Sequence, residues 1–334
     1  MATDALPITV RASWQRELAE VCTDANQLAA QLALPADFIT RHFAASKLFP
    51  LRVTQHFISL MARGDSNDPL LRQVLPHADE FIEVAGYVAD PLAEQQQQQQ
   101  PGILHKYSSR VLVILRGGCA INCRYCFRRH FPYDQNHFGP QQRAELLDMI
   151  RADSAINEVI LSGGDPLLAT DAQLDRLLSE LEALPQLTRI RIHSRLPVVL
   201  PSRLTLELAE RLQHSRLNAV LVIHSNHPNE IDPILIAALQ QWRGYNITML
   251  NQSVLLRGVN DDAETLASLS EKLFNAGVLP YYLHQLDKVA GASHFAVSDD
   301  QARQIEHQLR GILPGFLVPQ LVREIAGEPS KTPL

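Results

Sequence analysis

Short runs of apolar residues recur between residues 105 and 290, and each is followed by a segment whose apolar positions have helical spacing. The runs are Val111–Leu115, Glu158–Leu161, Arg189–Ile192, Ala219–Ile223, Ile247–Leu250 and Leu279–Leu283. Amphipathic stretches such as Leu174–Leu184 and Leu204–Leu212 lie between them. Strands that alternate with helices indicate a parallel sheet with helical crossovers. The six units predict an α/β fold, built as a partial or full β/α barrel.

Residues 1–100 show short helical patterns and irregular segments instead. Val21, Ala25, Leu28 and Leu32 have the spacing of one helix face, and this pattern ends near Pro35. We therefore predict an N-terminal helical region over residues 1–100.

The run from Gln95 to Gln100, closed by Pro101 and Gly102, is of low complexity and cannot pack a core. We predict that it forms a surface loop and a domain boundary. The barrel is then expected over residues 101–290 and a C-terminal segment over residues 291–334.

Polar and glycine-rich clusters follow the predicted strands. They are Gly117-Gly118-Cys119, Ser162-Gly163-Gly164-Asp165, His193-Ser194-Arg195 and His224-Ser225-Asn226-His227. In β/α barrels the chemistry lies at the carboxyl ends of the strands. The pattern therefore predicts an active site built from these clusters.

Composition and charge narrow the class of protein. The formal charge of −6 disfavours nucleic acid and anionic membranes as partners. Charged residues interrupt the apolar runs at the N-terminus, which disfavours a signal peptide, and no run reaches the ~18 residues of a membrane span. Three of the four cysteines lie within eight residues, which favours metal binding in a reducing compartment over disulfides. We expect a cytoplasmic protein.

Cys119, Cys123 and Cys126 have the spacing C-x3-C-x2-C. Iron–sulfur clusters are usually held by four thiolates, so three would leave one iron of a [4Fe–4S] cluster open to a ligand. The amino and carboxylate groups of S-adenosylmethionine are suited to that open iron. Two other interpretations are three buried structural cysteines and a zinc site with Cys22 as the fourth ligand. Cys22 lies in a helical pattern and is better read as a core residue.

The cysteine motif after a first strand, with an aromatic residue between the last two cysteines, resembles the radical S-adenosylmethionine superfamily. Gly163-Gly164-Asp165-Pro166 after the second strand is similar to the superfamily's glycine motif, which receives the amino group of S-adenosylmethionine. The resemblance implies that Gly163, Gly164 and Asp165, with Ser194 and Arg195, bind S-adenosylmethionine. His224 ends the fourth predicted strand and is either a further contact to S-adenosylmethionine or a satisfied core histidine.

Further motifs over residues 75–334 resemble lysine 2,3-aminomutase. They include His105-Lys106-Tyr107 with Arg110, Cys126-Phe127-Arg128-Arg129, Ser194-Arg195-Leu196-Pro197, His227-Pro228-Asn229-Glu230, Asn251-Gln252, Asn260-Asp261, Pro280-Tyr281-Tyr282 and Asp287. The short chain and its ending are most similar to the branch that supplies (R)-β-lysine for modifying elongation factor P. This resemblance implies a partial (β/α)6 barrel whose C-terminal extension carries a cofactor lysine.

The family also uses pyridoxal 5′-phosphate, and Lys331 matches the lysine that carries it. Tyr107 matches the residue that packs against the pyridoxal ring, and Arg110 and Gln252 match contacts to the phosphate. The family's glycines before the lysine are replaced here by Gly327-Glu328-Pro329-Ser330.

The resemblance also implies three substrate contacts. Arg128 matches the partner of the substrate carboxylate, while Asp287 and Glu324 match the carboxylates that hold the distal ammonium of lysine. Glu324 replaces the family's usual aspartate, which lengthens the side chain by one methylene. The alternative for either acid is an ion pair with a nearby arginine such as Arg323.

The expected function is a radical 1,2-amino shift that converts L-lysine to (R)-β-lysine, with an electron donor and with elongation factor P and its ligase as functional partners. The alternatives are an aminomutase for arginine, ornithine or glutamate, a radical maturase or methylthiotransferase, and a structural iron–sulfur or zinc module. Maturases and methylthiotransferases usually have a second cysteine cluster, and only Cys22 remains here. The larger aminomutases have a zinc-binding extension, and the chain ends three residues after Lys331. We therefore expect no structural zinc and a homodimer.

Overall fold

The computed structural model describes residues 12–35, 38, 40, 43–96 and 98–334. Its centre is a sheet whose strands lie side by side in chain order. They are β1 (Gln98–Gln100), β2 (Ile103–Tyr107), β3 (Arg110–Arg116), β4 (Glu158–Gly163), β5 (Arg189–Ser194), β6 (Asn218–His224), β7 (Ile247–Leu255), β8 (Leu279–Gln285), β9 (Gln320–Arg323) and β10 (Thr332–Pro333). Neighbours from β3 to β9 are parallel, while β1, β2 and β3 pair antiparallel, as do β9 and β10.

Helices cross over between the parallel strands and cover the outer face of the sheet. Those between β3 and β9 are α5 (Pro140–Ala152), α6 (Asp171–Glu182), α7 (Leu196–Val199), α8 (Leu206–Gln213), α9 (Pro233–Trp242), α10 (Ala263–Asn275) and α11 (Asp299–Ile312). Four of them start at a side-chain cap, because Thr170, Asp232, Asp262 and Ser298 each accept a hydrogen bond from a backbone amide of the first turn. Such caps supply the partners that the first amides of a helix lack.

The N-terminal helices are α1 (Ser13–Ala19), α2 (Ala25–Leu32), α3 (Gln55–Ser59) and α4 (Pro69–Arg72). Their buried residues Trp14, Leu28, Phe57 and Leu70 belong to the same apolar cluster as residues of β3–β7 and of the helices that cover them. This part of the chain therefore packs against the barrel.

The strands follow period-two alternation. In β4, for example, Val159 and Leu161 belong to the apolar core, while Glu158, Ile160 and Ser162 line an interior cavity. One face of the sheet is therefore packed against helices, and the other lines the cavity.

The two ends of the sheet meet through side chains. Glu324, directly after β9, accepts hydrogen bonds from Lys106 Nζ and from the hydroxyl of Tyr107 on β2, at 2.5 and 2.7 Å. Among the described residues the terminal strands β1 and β10 do not pair, so the sheet is an open, partial barrel. The predicted α/β fold with a partial barrel is confirmed.

The six predicted strands are confirmed, each with extended bounds. The surface loop predicted over Gln95–Gln100 is wrong, since Gln98–Gln100 form a strand that pairs with β2; residue 97 lies outside the described residues. Glutamine does not disfavour an extended backbone, and the sheet edge supplied a partner that composition does not reveal. Val21 precedes helix α2 instead of belonging to it.

The division into regions 1–100, 101–290 and 291–334 stays a prediction. In the described ranges, no helix combines the length and apolar character needed to cross a membrane.

Candidate active site

A cavity of about 720 Å³ runs along the inner face of the sheet. It is lined by most of the residues that the sequence singled out, which are Tyr107, Arg110, Cys119, Cys123, Cys126, Arg128, Gly163, Gly164, Asp165, Arg195, His224, Gln252, Asp287, Glu324 and Lys331. Ser194 does not line it. The fold therefore brings residues from β2 to the C-terminal tail to one site.

The three cysteines lie on the loop after β3. The loop is held by the N-terminal region, because Arg124 and Arg129 both bond the carboxylate of Glu80, and all three of these side chains are 0% exposed. The backbone amide of Arg124 also donates to Gln73 O at 2.8 Å. The loop conformation is therefore fixed by contacts outside the barrel itself.

Burial governs the protonation of two of the thiols. It raises the pKa of Cys126 to about 12 and that of Cys119 well above its usual value, and the neighbouring thiols add to both shifts. Without a cation these two thiols stay neutral, and a bound metal would displace their protons.

The zinc interpretation loses support. Among the described residues, no three His, Cys, Asp or Glu side chains converge as ligands of a single metal ion. A cluster with one iron per thiolate does not need that convergence. Cys22 is 1% exposed in the N-terminal core and does not line the cavity, as expected for a core cysteine.

Gly163 and Gly164 allow the loop after β4 to touch the cysteine loop. Gly163 has φ +121°, and a Cβ there would lie 2.5 Å from the carbonyl oxygen of Arg116. A Cβ on Gly164 would lie 2.2 Å from the carbonyl oxygen of Gly118. Any larger residue would push the two loops apart.

Asp165 uses its carboxylate within the protein. Oδ1 accepts from the Ser194 hydroxyl at 2.7 Å and from the amide of Leu167 at 3.0 Å, and Oδ2 accepts from the amides of Arg195 and Leu196 at 2.9 Å. Burial raises the pKa of Asp165 to about 6. The cofactor contacts predicted for Asp165 and Ser194 stay predictions, and in the structure the two side chains bond each other. Both residues join the loops after β4 and β5.

His224 and Gln252 lie on neighbouring strands and bond each other, with 2.9 Å between the two Nε2 atoms. Burial lowers the pKa of His224 to about 3, so its ring is neutral. His193 and His284 also line the cavity, and burial lowers their pKa values as well. The centre of the cavity is thus lined by neutral imidazoles.

Arg128 is paired by a residue that the sequence analysis did not single out. Its Nε and Nη2 each lie 2.7 Å from a carboxylate oxygen of Glu94, and Nη1 bonds Ser162 Oγ and Gly163 O at 3.0 and 3.2 Å. The Arg128 and Glu94 side chains are 5% and 11% exposed. In the structure, the Glu94 carboxylate therefore occupies the guanidinium group that was predicted to bind the carboxylate of the substrate.

Glu324 is the centre of a second charged cluster. Its Oε2 lies 2.5 Å from Lys331 Nζ, and its Oε1 accepts from Lys106 and Tyr107. Burial raises the pKa of Glu324, but Lys331, Lys106 and Tyr107 outweigh it and lower the pKa to about 2. The guanidinium of Arg110 lies 3.9 Å from the centre of the Tyr107 ring. The added methylene of Glu324 does not prevent it from reaching the cavity.

Asp287 follows β8 and faces the same cavity. Burial raises its pKa to about 7, with Lys331 opposing and Glu324 adding to the shift. The arginine pairing considered for the two acids is wrong, since Arg323 pairs with Asp299 at 2.5 Å.

The cavity residues to which the sequence analysis gave no role of their own include Glu94, Lys106 and the inward-facing Arg191, His193 and His284. The three on β5 and β8 occupy alternate strand positions, so the period-two pattern carried a signal for them. Glu94 had no such signal, because it directly precedes the low-complexity run and lies outside the predicted strands.

Comparison with known proteins gives consistent matches. Residues 113–269 match the radical SAM superfamily. The chain is 52% identical over 325 residues to the L-lysine 2,3-aminomutase of Escherichia coli (strain K12), with 97% of this chain and 95% of that protein covered. It is also 52% identical over 320 residues to the L-lysine 2,3-aminomutase of Haemophilus influenzae, with 96% and 95% covered.

A radical SAM methyltransferase from Sphaerobacter thermophilus has a related structure. It superposes with a TM-score of 0.50 at 20% identity, over 66% of this chain and 68% of that one. At that identity the likeness concerns the fold alone.

Proposed function

Because the chain belongs to the L-lysine 2,3-aminomutase family of radical SAM enzymes, we propose that it converts L-lysine to (R)-β-lysine in the cavity described above. Family membership makes it an isomerase and implies three cofactors: a [4Fe–4S] cluster, S-adenosylmethionine and pyridoxal 5′-phosphate. The observation that carries the proposal is that one cavity is lined by Cys119, Cys123, Cys126, Asp287 and Lys331.

The cofactors would supply one-electron cleavage of S-adenosylmethionine to a hydrogen-abstracting radical, and a conjugated group that carries the migrating nitrogen. The residues present fit them. Three half-buried thiols match the cluster, and Gly163, Gly164 and His224 line the same cavity. Arg195 lines it too, although its Nη1 and Nη2 donors are used within the protein.

Lys331 is the proposed attachment point for pyridoxal 5′-phosphate, with Tyr107 beside the ring and Arg110 near the phosphate. Support comes from the cavity, where Lys331 Nζ lies 5.7 Å from the centre of the Tyr282 ring and aromatic residues offer a flat surface. The amide of Gln252 is bonded to His224, so a phosphate contact by Gln252 would require that this bond be exchanged.

Asp287 is the group that we propose binds the distal ammonium of lysine. Glu324 already holds an ammonium, that of Lys331, whereas the Asp287 carboxylate has no hydrogen-bond partner among the described side chains. An arriving ammonium would ionise Asp287 and compensate its burial. A second carboxylate at Glu324 would repel a glutamate side chain, which disfavours the glutamate alternative.

Arg128 binds the substrate carboxylate in this proposal, and Glu94 must then leave its fork. The exchange replaces one carboxylate by another, so the buried guanidinium does not remain unpaired. A substrate without a carboxylate has no means of displacing Glu94. The pair thereby distinguishes α-amino acids from simple amines.

The walls of the cavity exclude water, which protects a reactive radical and holds the reacting atoms in one geometry. Neutral His193, His224 and His284 add polar contacts without adding charge next to the migrating nitrogen. Glu324 would receive the ammonium of Lys331 whenever substrate displaces it.

We further propose a cytoplasmic location, a reducing electron donor, and a role in supplying β-lysine to the ligase that modifies elongation factor P. Near-full-length similarity to the Escherichia coli protein supports this branch of the family. Loss of the β-lysine mass from elongation factor P in a deletion strain, restored by added β-lysine, tests this role. The homodimer is tested by light scattering.

The decisive experiment is anaerobic incubation with L-lysine, pyridoxal 5′-phosphate, S-adenosylmethionine and a reductant, followed by chiral analysis of the product. We expect (R)-β-lysine. Absence of β-lysine from a preparation that contains both the cluster and bound pyridoxal 5′-phosphate would contradict the proposal, and parallel incubations with arginine, ornithine and glutamate identify the alternative substrate.

A further inference from the structure

Arg195 follows directly after β5 and directs its guanidinium group at the cysteine loop. Its Nη1 lies 2.7 Å from Cys123 Sγ and also donates to the hydroxyl of Tyr125. Its Nη2 lies 2.7 Å from Gln73 Oε1. The Arg195 side chain is 6% exposed, so these contacts are shielded from water.

The compensating charge for Arg195 is Glu230, whose side chain is 0% exposed. Glu230 Oε2 lies 3.5 Å from Arg195 Nη2 and, among the described residues, has no hydrogen-bond partner. Its Oε1 accepts instead from Gln73 Nε2 at 2.9 Å. The carboxylate therefore offsets the charge of Arg195 without taking the donors that reach the sulfur.

The hydrogen-bond network around Arg195 does not depend on Arg195 alone. Gln73 and Tyr125 also bond Asn226, so the network beneath the loop has a further member that holds it together. Arginine side chains keep their proton inside proteins. The Arg195 guanidinium is therefore a positive charge 2.7 Å from the Cys123 sulfur, which we assign to the cluster.

We propose that Arg195 is a positioning residue that raises the reduction potential of the cluster on Cys119, Cys123 and Cys126, and that Glu230 limits this effect. The inference rests on the proposed function. An added electron makes the cluster more negative, so a nearby positive donor to a ligand sulfur stabilises the reduced form more than the oxidised form. The low dielectric around these buried groups strengthens that difference.

The test is a redox titration of anaerobically reconstituted protein without S-adenosylmethionine, followed by electron paramagnetic resonance, with iron and sulfide measured first. At the wild-type midpoint, Arg195→Gln should lower the ratio of reduced to oxidised cluster by about tenfold, which corresponds to about 59 mV for one electron. Glu230→Gln should raise that ratio by about threefold or more, because it removes the compensating charge. Arg203→Gln is the matched control, since it removes the same charge from a buried arginine that bonds the Leu167 and Ala169 carbonyls and Asp171, and it should leave the midpoint unchanged.

An Arg195→Gln protein with a full cluster and an unchanged ratio would overturn the inference. If this variant does not assemble the cluster, Glu230→Gln decides, and a ratio that fails to rise overturns it equally. A wild-type protein that forms no four-iron cluster would overturn the proposed function together with the inference, whereas a normal cluster with an unmoved potential overturns the inference alone.

Discussion

The two ends of the cavity are built differently. At the cysteine end, contacts within the protein fix the groups: Gly164 packs against Gly118, Asp165 uses all four of its acceptor positions, and buried ion pairs hold the cysteine loop. At the lysine end, charged side chains meet inside the cavity, with Glu324 between Lys106 and Lys331. The first arrangement suits a resident group that never leaves, and the second suits ammonium groups that must exchange.

Two carboxylate–cation pairs line the part of the cavity where we expect the substrate, and they share one property. Glu94 on Arg128 and Glu324 on Lys331 are both ion pairs that form without substrate. Each places a group of the protein where a charge of lysine is expected. In both pairs the charges are compensated before substrate binds, and we expect binding to exchange a protein partner for a group of the substrate.

The largest effect should come from the cysteine end. Cys119→Ala, Cys123→Ala or Cys126→Ala should each abolish the catalytic cluster, because two thiolates cannot retain it. Iron analysis and the absorbance spectrum after anaerobic reconstitution check this. Cys22→Ala is the control and should keep the cluster; loss of cluster and activity in that variant alone would refute the open-iron arrangement.

Lys331→Ala should abolish covalent attachment of pyridoxal 5′-phosphate and leave the iron–sulfur spectrum intact, since the two ends use separate residues. Borohydride reduction followed by peptide mapping is the measurement. Lys288→Ala, on an exposed lysine, is the control. Label found on Lys272 or Lys288 of the wild type would show that Lys331 is not the attachment residue.

Asp287→Asn should lower kcat/KM for lysine by about 100-fold or more, because the distal ammonium would be buried without a charged partner at a cost of ~3–5 kcal/mol. Glu324→Gln should cost less for lysine binding but slow the displacement of Lys331. Ornithine should be a poor but detectable substrate, since a methylene is worth ~1–3 kcal/mol. Wild-type efficiency in both variants would remove the selection role from these acids.

Lysine binding should depend on pH through Asp287. Burial raises its pKa to about 7, and the ionised form is the one that pairs with an ammonium, so KM for lysine should increase as pH falls below about 7. The limit is about tenfold per pH unit. Asp287→Asn should flatten this profile between about pH 6.5 and 8.5, a range in which Asp165, whose pKa is about 6, is mostly ionised. An unchanged slope in the variant would assign the dependence to another group.

The smallest effect concerns Glu94. Glu94→Gln should lower KM for lysine by about threefold to tenfold, because the substrate carboxylate no longer competes with an ionised side chain for Arg128. The exposed Glu83→Gln is the control and should change nothing. A raised KM would instead show that Glu94 orients Arg128 in the substrate complex.

Much of the fold was accessible from the sequence because its signals are local. Apolar runs with helical segments between them gave the six strands from Val111 to Leu283, and the alternation predicted their parallel arrangement. The strands that were missed, β1, β2, β9 and β10, lie at the two ends of the sheet and have only two to five residues each. Strands this short carry too few positions for a clear period-two pattern.

By itself the sequence determined the cysteine motif, the strand-end clusters and, through its resemblance to a family, Lys331 and Asp287 as members of one site. Only the tertiary structure decided which charges face each other: Glu94 meets Arg128 across 34 positions, Lys106 meets Glu324 across 218, and Arg195 reaches Cys123 across 72. Spacing along a loop is preserved in the sequence, and so the thiols could be recognised there. Ion pairs between strands depend on the curvature of the sheet and on burial, and these arise only when the barrel is folded.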